Sequence, residues 1–309
     1  MRVVFMGTPD FAVGTLECLI EAHEVVAVVT QPDKPKGRGK AMQFPPVKEK
    51  ALEHGIPVYQ PVKVRDEEFI NVLRELNPDV IVVVAFGQIL PEDILNLPRY
   101  GCLNVHASLL PKYRGAAPIQ WVVIDGEEET GVTIMYMEKG LDTGDMIAKK
   151  VIPIEKKETG ESLHDKLMVL GGPLLLDVLV QLENGTATRE KQDDSLSCYA
   201  KMLTKDLGKI DWNKDAVSIE RLIRGLNSWP SAYSYYHGKT LKIWEADVVE
   251  GKKDAIPGSV ISVEKKAFTV QTGKDALRVT QVQLQGKKRM EVQAFLLGNA
   301  MEVGMLLSE

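Results

Sequence analysis

The chain has 309 residues, 44% apolar and 26% charged, a composition that fits a globular protein of about two domains with cores that need no staples. Its three cysteines, Cys18, Cys102 and Cys198, lie far apart, which excludes a disulfide framework and a cysteine metal site and points to a reducing compartment. The net charge of −5 argues against a general nucleic-acid binder, yet residues 31–50 hold Lys34, Lys36, Arg38, Lys40, Lys48 and Lys50 against only Asp33 and Glu49, and residues 206–309 hold fifteen Lys and Arg against thirteen Asp and Glu.

Met1 leads directly into a strand-like run, so no signal peptide is expected. The longest apolar stretch, residues 80–86, is far too short to span a bilayer. A cytoplasmic protein without a membrane partner is the expectation.

Residues 3–7, 25–30 and 80–86 are nearly continuous apolar runs, the pattern of strands buried on both faces. After the first, Thr8-Pro9 reads as a helix start, with Thr8 as cap and Pro9 at the first helical position. Phe11, Leu16, Leu19 and Ile20 would line that helix's inner face, with Cys18 among them as an inert thiol. Residues 66–76 carry a second helical pattern, stopped by Asn77-Pro78. Strand–helix alternation of this kind predicts an α/β fold, a Rossmann-like doubly wound and mostly parallel sheet. Further strands are expected at 102–107, 132–138 and 146–154, then a long helix at 161–183 with Leu163, Leu167, Leu170 and Leu174 on one side. Residues 193–207 are polar and read as a linker. Beyond it, short strand-like pieces at 241–245, 259–263, 267–272 and 277–285 are separated by turn signals such as Pro257-Gly258 and Thr272-Gly273. They predict a small OB-like β-barrel. The expected domains are thus 1–192 and 208–309.

The first strand-to-helix turn, Gly7-Thr8-Pro9-Asp10-Phe11, lacks the remaining glycines of a dinucleotide fingerprint, so a nicotinamide cofactor is disfavoured. No metal-ligand cluster and no P-loop is found, and no metal is expected. The informative segment is Leu103-Asn-Val-His-Ala-Ser-Leu-Leu-Pro-Lys-Tyr-Arg-Gly-Ala-Ala-Pro118. Side chains two apart on a strand share a face, so Asn104 and His106 project together while Val105 points away. Pro111 and the Tyr113-Arg114-Gly115 turn place the pair at a strand's carboxyl end, where open α/β sheets bind ligands. An amide donor beside an imidazole can stabilise an oxyanion and carry a proton. A second segment, Gly140-Leu-Asp-Thr-Gly-Asp145, brackets an acidic loop with glycines, and a carboxylate there could orient His106 or relay a proton itself. Taken singly, each has a plainer reading. A lone His106 at a strand end is often structural, Asp142 beside glycine is a common turn former, and Arg114 could bind an anion or only pack its turn. Residues 34–40 could be a solvated charged loop, and Trp212 and Trp229 read as core or interface residues.

Asn104-Val-His106 with Ser108-Leu-Leu-Pro111, Tyr113-Arg-Gly115 and Pro118 resembles the signature of folate-dependent formyltransferases. Asp142 in Gly-Leu-Asp-Thr-Gly-Asp matches that family's acidic loop. The resemblance implies that Asn104, His106 and Asp142 are catalytic. It places the folate donor, 10-formyltetrahydrofolate, against Ser108, Leu109, Leu110 and Pro111, together with Phe86, Gly87 and Leu90. The opening Phe5-Met-Gly-Thr-Pro-Asp-Phe-Ala12, the basic loop 31–45 and the stretch Arg224-Gly-Leu-Asn-Ser-Trp-Pro-Ser-Ala232 resemble the branch of the family that formylates methionyl-tRNA. Gly225 and Ser228 depart from that branch's pattern. By this resemblance Lys34, Lys36, Arg38 and Lys40 contact initiator methionyl-tRNA, and the product is N-formylmethionyl-tRNA for translation initiation. A monomer is expected. Two rival readings are a formyltransferase acting on a small amine and a non-catalytic RNA-binding protein. The basic loop and second domain oppose the first, and the Asn–His–Asp set opposes the second.

Overall fold

Apolar runs with no polar alternation have nowhere to turn a side chain except into protein, and all five residues of Val80–Val84 and the run Val3 to Met6 are enclosed accordingly. A computed structural model describes residues 1–36 and 41–308. Its elements run, in chain order, β1 (Arg2–Gly7), α1 (Val13–Ala22), β2 (Glu24–Val29), β3 (Lys34–Lys36), β4 (Ala41–Gln43), α2 (Pro46–Glu53), β5 (Val58–Tyr59), α3 (Glu67–Leu76), β6 (Val80–Val84), α4 (Glu92–Leu95), β7 (Cys102–His106), β8 (Arg114–Gly115), α5 (Pro118–Asp125), β9 (Glu129–Tyr136), β10 (Met146–Pro153) and α6 (Gly160–Glu183). They continue as β11 (Tyr199–Ala200), α7 (Ala216–Gly225), β12 (Ala232–Tyr236), β13 (Lys239–Val249), β14 (Val260–Val263), β15 (Phe268–Gln271), β16 (Ala276–Leu284), β17 (Met290–Glu291) and α8 (Val292–Leu296).

By contact the chain divides into two units. The first holds Met1–Gly115, Glu129–Pro153 and His164–Ala200; the second holds Ala116–Glu128, Ile154–Leu163 and Lys201–Glu309. The segments 116–128 and 154–163 thus group with the second unit, and residues 193–200 with the first. In the second unit α5 packs closely on α7: a Cβ at Gly225 would come within 2.5 Å of Ile124 Cγ1. Residues 193–207 are not a bare tether. They form two single 3-10 turns, Asp194–Leu196 and Asp206–Gly208, and β11, which pairs in parallel with β8.

The first unit's sheet has seven strands in the order β10-β9-β7-β6-β1-β2-β5. It is parallel from β7 to β5 and antiparallel where β9 joins β7 and where β10 joins β9. Thr8 does not cap a helix. The helix begins only at Val13, after a 3-10 turn, and Thr8 Oγ1 instead ties the strand ends, donating to the Phe86 carbonyl at 3.4 Å and accepting the Gln31 N–H at 3.2 Å. On α6 the buried row runs through Leu163, Leu167, Gly171 and Leu175, and Leu170 and Leu174 are only half-buried. Gly171 and Gly172 let this helix approach its neighbours: a Cβ at Gly171 would lie 2.7 Å from Val105 Cγ1, and one at Gly172 2.5 Å from Cys18 Sγ.

The second unit is an antiparallel β domain with sheet order β12-β13-β16-β15-β14, and β17 on β16. β12 and β14 stand at its two ends, and the described residues include no pairing between them, the closure an OB-like barrel requires. Asp215 caps α7 by accepting the Ser218 N–H at 2.9 Å, and the helix lays Ala216, Ile219 and Ile223 into a core with Phe268 and Phe295. Trp212 is buried there, donating to Ser234 Oγ at 3.0 Å, whereas Trp229 is 55% exposed and is not a core residue. No helix among the described residues is long and apolar enough to cross a membrane.

Candidate active site

β7 reaches the carboxyl edge of the sheet with Val105 turned toward α6 and with Asn104 and His106 on its other face, the two-residue period of a strand. β9 lies antiparallel beside it, His106 opposite Thr133 and Asn104 opposite Met135, so the chain leaves β9 at the amino end of β7, where the Met137 N–H donates to the Cys102 carbonyl. The connection from β9 to β10 then carries Asp142 onto the pair. Asn104 Nδ2 lies 3.4 Å from Asp142 Oδ1, and His106 Nδ1 lies 3.8 Å from Asp142 Oδ2. The structure thus brings together the amide, the imidazole and the carboxylate that the sequence singled out.

The 3.8 Å separation is too long for a hydrogen bond, so Asp142 is not what orients the ring. That role falls to the backbone of the following turn. His106 Nε2 lies 2.9 Å from the Tyr113 carbonyl, and a carbonyl can only accept, so Nε2 carries the hydrogen. Nδ1 is therefore the nitrogen with a lone pair in the neutral ring, and it is the one facing Asp142. The turn is pinned in its own right. Ser108 Oγ donates to the Lys112 carbonyl at 2.8 Å, and Tyr113 N–H donates to Cys198 Sγ at 3.2 Å. Gly115 sits at φ +110°, and a Cβ there would come within 2.5 Å of Tyr199, so only glycine lets β8 pair with β11.

Asp142 occupies the left-handed region at φ +53°, and its Oδ2 accepts the Gly115 N–H at 2.8 Å. Its carboxylate is thereby held to the same turn that holds His106. Arg114 packs this region: its guanidinium donates to Gln192 Oε1 at 3.0 and 2.8 Å and to Asp194 Oδ1 at 2.7 Å. Of its two readings, the structural one accounts for these bonds. Gln192 is a site residue that sequence reasoning missed; it lies in an aperiodic polar stretch with no motif to mark it. Cys102, two residues before Asn104, is sealed under the edge. Burial pushes its thiol up to about 12, and it donates to the Ile94 carbonyl at 3.5 Å.

The residues expected at folate divide by exposure. β6 runs parallel to β7 with Val83 opposite Asn104, so Phe86 and Gly87 leave the strand adjoining the one that carries Asn104 and His106. Gly87, at φ +82°, is exposed, and Leu109 and Pro111 are half-buried. Phe86 and Leu90 instead turn inward to a core with Val4, Met6 and Ile70, and Leu110 packs against Met135 and Met146. Ser108 is fully enclosed. Phe86, Leu90, Ser108 and Leu110 therefore support the strand ends from within the protein. Among the described residues no group of three or more His, Cys, Asp or Glu is placed to hold a metal ion.

The basic loop is not wholly irregular. β3 and β4 pair antiparallel, Lys34 opposite Gln43 and Lys36 opposite Ala41, with Lys34, Met42 and Phe44 exposed. Arg38 and Lys40 lie outside the described residues. The base of the hairpin is clamped: Lys48 Nζ donates to Asp33 Oδ2 at 2.7 Å and to Gln60 Oε1 at 2.8 Å, while standing 3.9 Å over the Phe44 ring. The bonds from Lys48 and then Gln60 hold the Asp33 carboxyl below its ordinary range.

Comparison with known proteins gives the following. The sequence profile of a family described as "Formyl transferase" matches residues 1–179, and that of "Formyl transferase, C-terminal domain" matches residues 202–300. A protein of Lachnospira eligens named methionyl-tRNA formyltransferase is 59% identical over 315 residues, with all of both chains covered. One of the same name from Clostridioides difficile is 52% identical over 308 residues, covering 99% of this chain and 100% of the other. Among solved structures, an N-formyltransferase of Helicobacter canadensis in complex with folinic acid and dTDP-3-aminofucose is similar at TM-score 0.67 and 20% identity, covering 90% of this chain and 98% of that one. HypX from Aquifex aeolicus in complex with tetrahydrofolic acid is similar at TM-score 0.62 and 18% identity, and 96% of this chain spans only 47% of that longer one.

Proposed function

This chain belongs to the formyl transferase family, and on that premise we propose that it transfers the formyl group of 10-formyltetrahydrofolate to the free α-amino group of initiator methionyl-tRNA. The product is N-formylmethionyl-tRNA for translation initiation, made in the cytoplasm by a monomer. Whole-length relatives of that name at 52–59% identity support the acceptor. The observation that carries the chemistry is the gathering of Asn104, His106 and Asp142, at 3.4 and 3.8 Å, on one edge of the sheet.

In the reaction the amine lone pair attacks the formyl carbon and a new C–N bond forms. The carbonyl electrons move to oxygen, and the Asn104 amide donates to that oxyanion. The attacking nitrogen must lose a proton, and His106 Nδ1 is the basic atom at hand, with the Asp142 carboxylate beside it to meet the protonated ring. Collapse breaks the bond to the folate nitrogen, which takes up a proton. The acceptor's phosphates would be gripped by Lys34, Lys36, Arg38 and Lys40 of the basic loop and by basic residues of the second unit.

The test is to incubate the protein with methionyl-tRNA and 10-formyltetrahydrofolate and to recover N-formylmethionine after hydrolysis of the ester. Loss of an oxyanion donor costs about 3–4 kcal/mol and loss of a general base about 100-fold or more in rate, so Asn104→Ala and His106→Ala should each slow transfer about 100-fold or more. Undiminished turnover by His106→Ala would refute the assignment. Structural likeness to an N-formyltransferase holding an aminosugar nucleotide leaves a small-amine acceptor as the second reading. Formylation of such an amine in preference to methionyl-tRNA would establish it.

A further inference from the structure

We propose that Gln192 is a positioning residue, the brace that holds the Asp142 loop in register with the His106 turn. The inference rests on the role given to Asp142 above. Gln192 is 7% exposed, and every hydrogen-bonding direction of its amide is used. Its Nε2 donates to the Asp142 carbonyl and to the Gly144 carbonyl, both at 2.8 Å. Its Oε1 accepts from Arg114 Nε at 3.0 Å and Nη2 at 2.8 Å. One side chain thus joins the loop between β9 and β10 to the turn after β7.

The chemistry leaves no ambiguity in the amide's orientation, because carbonyls need donors and a guanidinium needs an acceptor. The brace also acts where the backbone most needs it. Asp142 is in a left-handed conformation, φ +53°, which a residue with a Cβ adopts at a cost and keeps only when its surroundings hold it. The two carbonyls that Gln192 binds lie at that residue and two beyond it. With the loop so held, Oδ2 receives the Gly115 N–H at 2.8 Å and stands 3.8 Å from His106 Nδ1. Freed of the brace, the loop can relax, and the carboxylate leaves the turn. Misplacement by about 1 Å at a reacting centre costs on the order of 100-fold in rate.

The experiment is a double-mutant cycle on the full chain, read by single-turnover formyl transfer and by steady-state KM for both substrates. Gln192→Ala should lower kcat about 10- to 100-fold with KM for methionyl-tRNA changed less than about 3-fold. Gln192→Glu, nearly isosteric, keeps the acceptor for Arg114 but loses the donors, so it should show the same fall while melting within a few degrees of the parent. It also serves if the alanine variant folds poorly. Adding Gln192→Ala to Asp142→Ala should cost nothing further, since the group being positioned is gone. A purely structural Gln192 would lower both backgrounds by the same factor, and that result overturns the proposal. So does a kcat within 2-fold of the parent in Gln192→Glu. Unimpaired transfer by Asp142→Ala would instead sink the catalytic reading itself, so the two failures are distinct.

Discussion

Gly171→Ala tests whether the packing behind the sheet sets the geometry in front of it. A Cβ at this position falls 2.7 Å from Val105 Cγ1 and 3.2 Å from Thr15 Oγ1, where carbon atoms in contact normally stand near 3.5–4.0 Å. Relief requires α6 and β7 to separate by about 1 Å at this point. Val105 is the residue between Asn104 and His106, so any shift of its backbone moves both of those side chains. Overpacking of one carbon into a closed core costs about 1–3 kcal/mol. Some of that cost is returned by alanine's better helix propensity, about 1 kcal/mol over glycine. The expected result is a net loss of about 0–2 kcal/mol in thermal or urea unfolding, and a fall in single-turnover formyl transfer of about 10-fold or more, the larger effect being on rate. The decisive control is Val105→Ala in the same chain. It deletes the Cγ1 that the new Cβ meets, so the double variant should be more stable than the sum of the two single losses by about 1 kcal/mol and should recover part of the rate. Additive losses, or a Gly171→Ala protein with parental rate and stability, would show that α6 does not set the register of β7.

Two further outcomes concern titration. The Cys102 thiol is pushed from its ordinary value of 9.0 to about 12 by burial. Below pH 9 it is protonated in both states; between 9 and 12 only the unfolded chain gives up the proton, so stability falls across that window, by about 4 kcal/mol in all if the whole shift is expressed. Urea unfolding at pH 8 and pH 10.5 should show a steeper alkaline loss in the parent than in Cys102→Ala, by about 2 kcal/mol, and equal slopes would contradict the burial argument. Lys48→Met should let the Asp33 carboxyl rise toward its ordinary 3.8, because the bond from Lys48 is the first cause of its depression. A depressed carboxyl stabilises the fold above its unfolded value and loses that contribution as pH falls through the lower folded one, so the variant's hairpin should show less acid dependence below pH 4 in carboxyl NMR.

Local chemistry explains what could be read from the sequence. Residues 3–7, 25–29 and 80–84 of β1, β2 and β6 are runs with no polar position to place in water, and a parallel sheet covered on both faces is the one common home for them. Asn104, His106 and Asp142 were legible because two belong to one strand face and the third to a glycine-bracketed loop. What stayed hidden depends on partners distant in the chain. Thr8 precedes proline as a helix cap would, yet its hydroxyl bonds to Phe86 and Gln31, residues on other strands. Leu170 and Leu174 keep the helical period set by Leu163 and Leu167, yet the buried row passes to Gly171 and Leu175, because glycine at 171 lets α6 close onto Val105, a partner far away in the chain. The side chains of Phe86 and Leu110 pack into the core, a placement set by residues on other strands. The ring-orienting group is a backbone carbonyl, at Tyr113, and a carbonyl has no letter of its own in a sequence.

The candidate site also concentrates conformations that ordinary residues avoid. Ala85, Tyr113 and Asp142 all have positive φ, at +47°, +59° and +53°. Ala85 follows β6, Tyr113 lies in the turn after β7, and Asp142 lies in the connection from β9 to β10. A left-handed residue with a Cβ costs roughly 1–2 kcal/mol, so such strain survives only where neighbouring bonds exceed it. At Asp142 and Tyr113 those bonds are visible. The Asp142 carbonyl is held by Gln192, its carboxylate by Gly115, and the Tyr113 carbonyl by His106. The same bonds that keep the backbone strained also aim the imidazole and the carboxylate. A loop free to relax would gain stability and lose that aim, having to reorganise its dipoles as charge develops on the formyl oxygen. A braced loop has met that cost during folding, which is the sense in which the edge of this sheet is built for the transition state rather than for the resting chain.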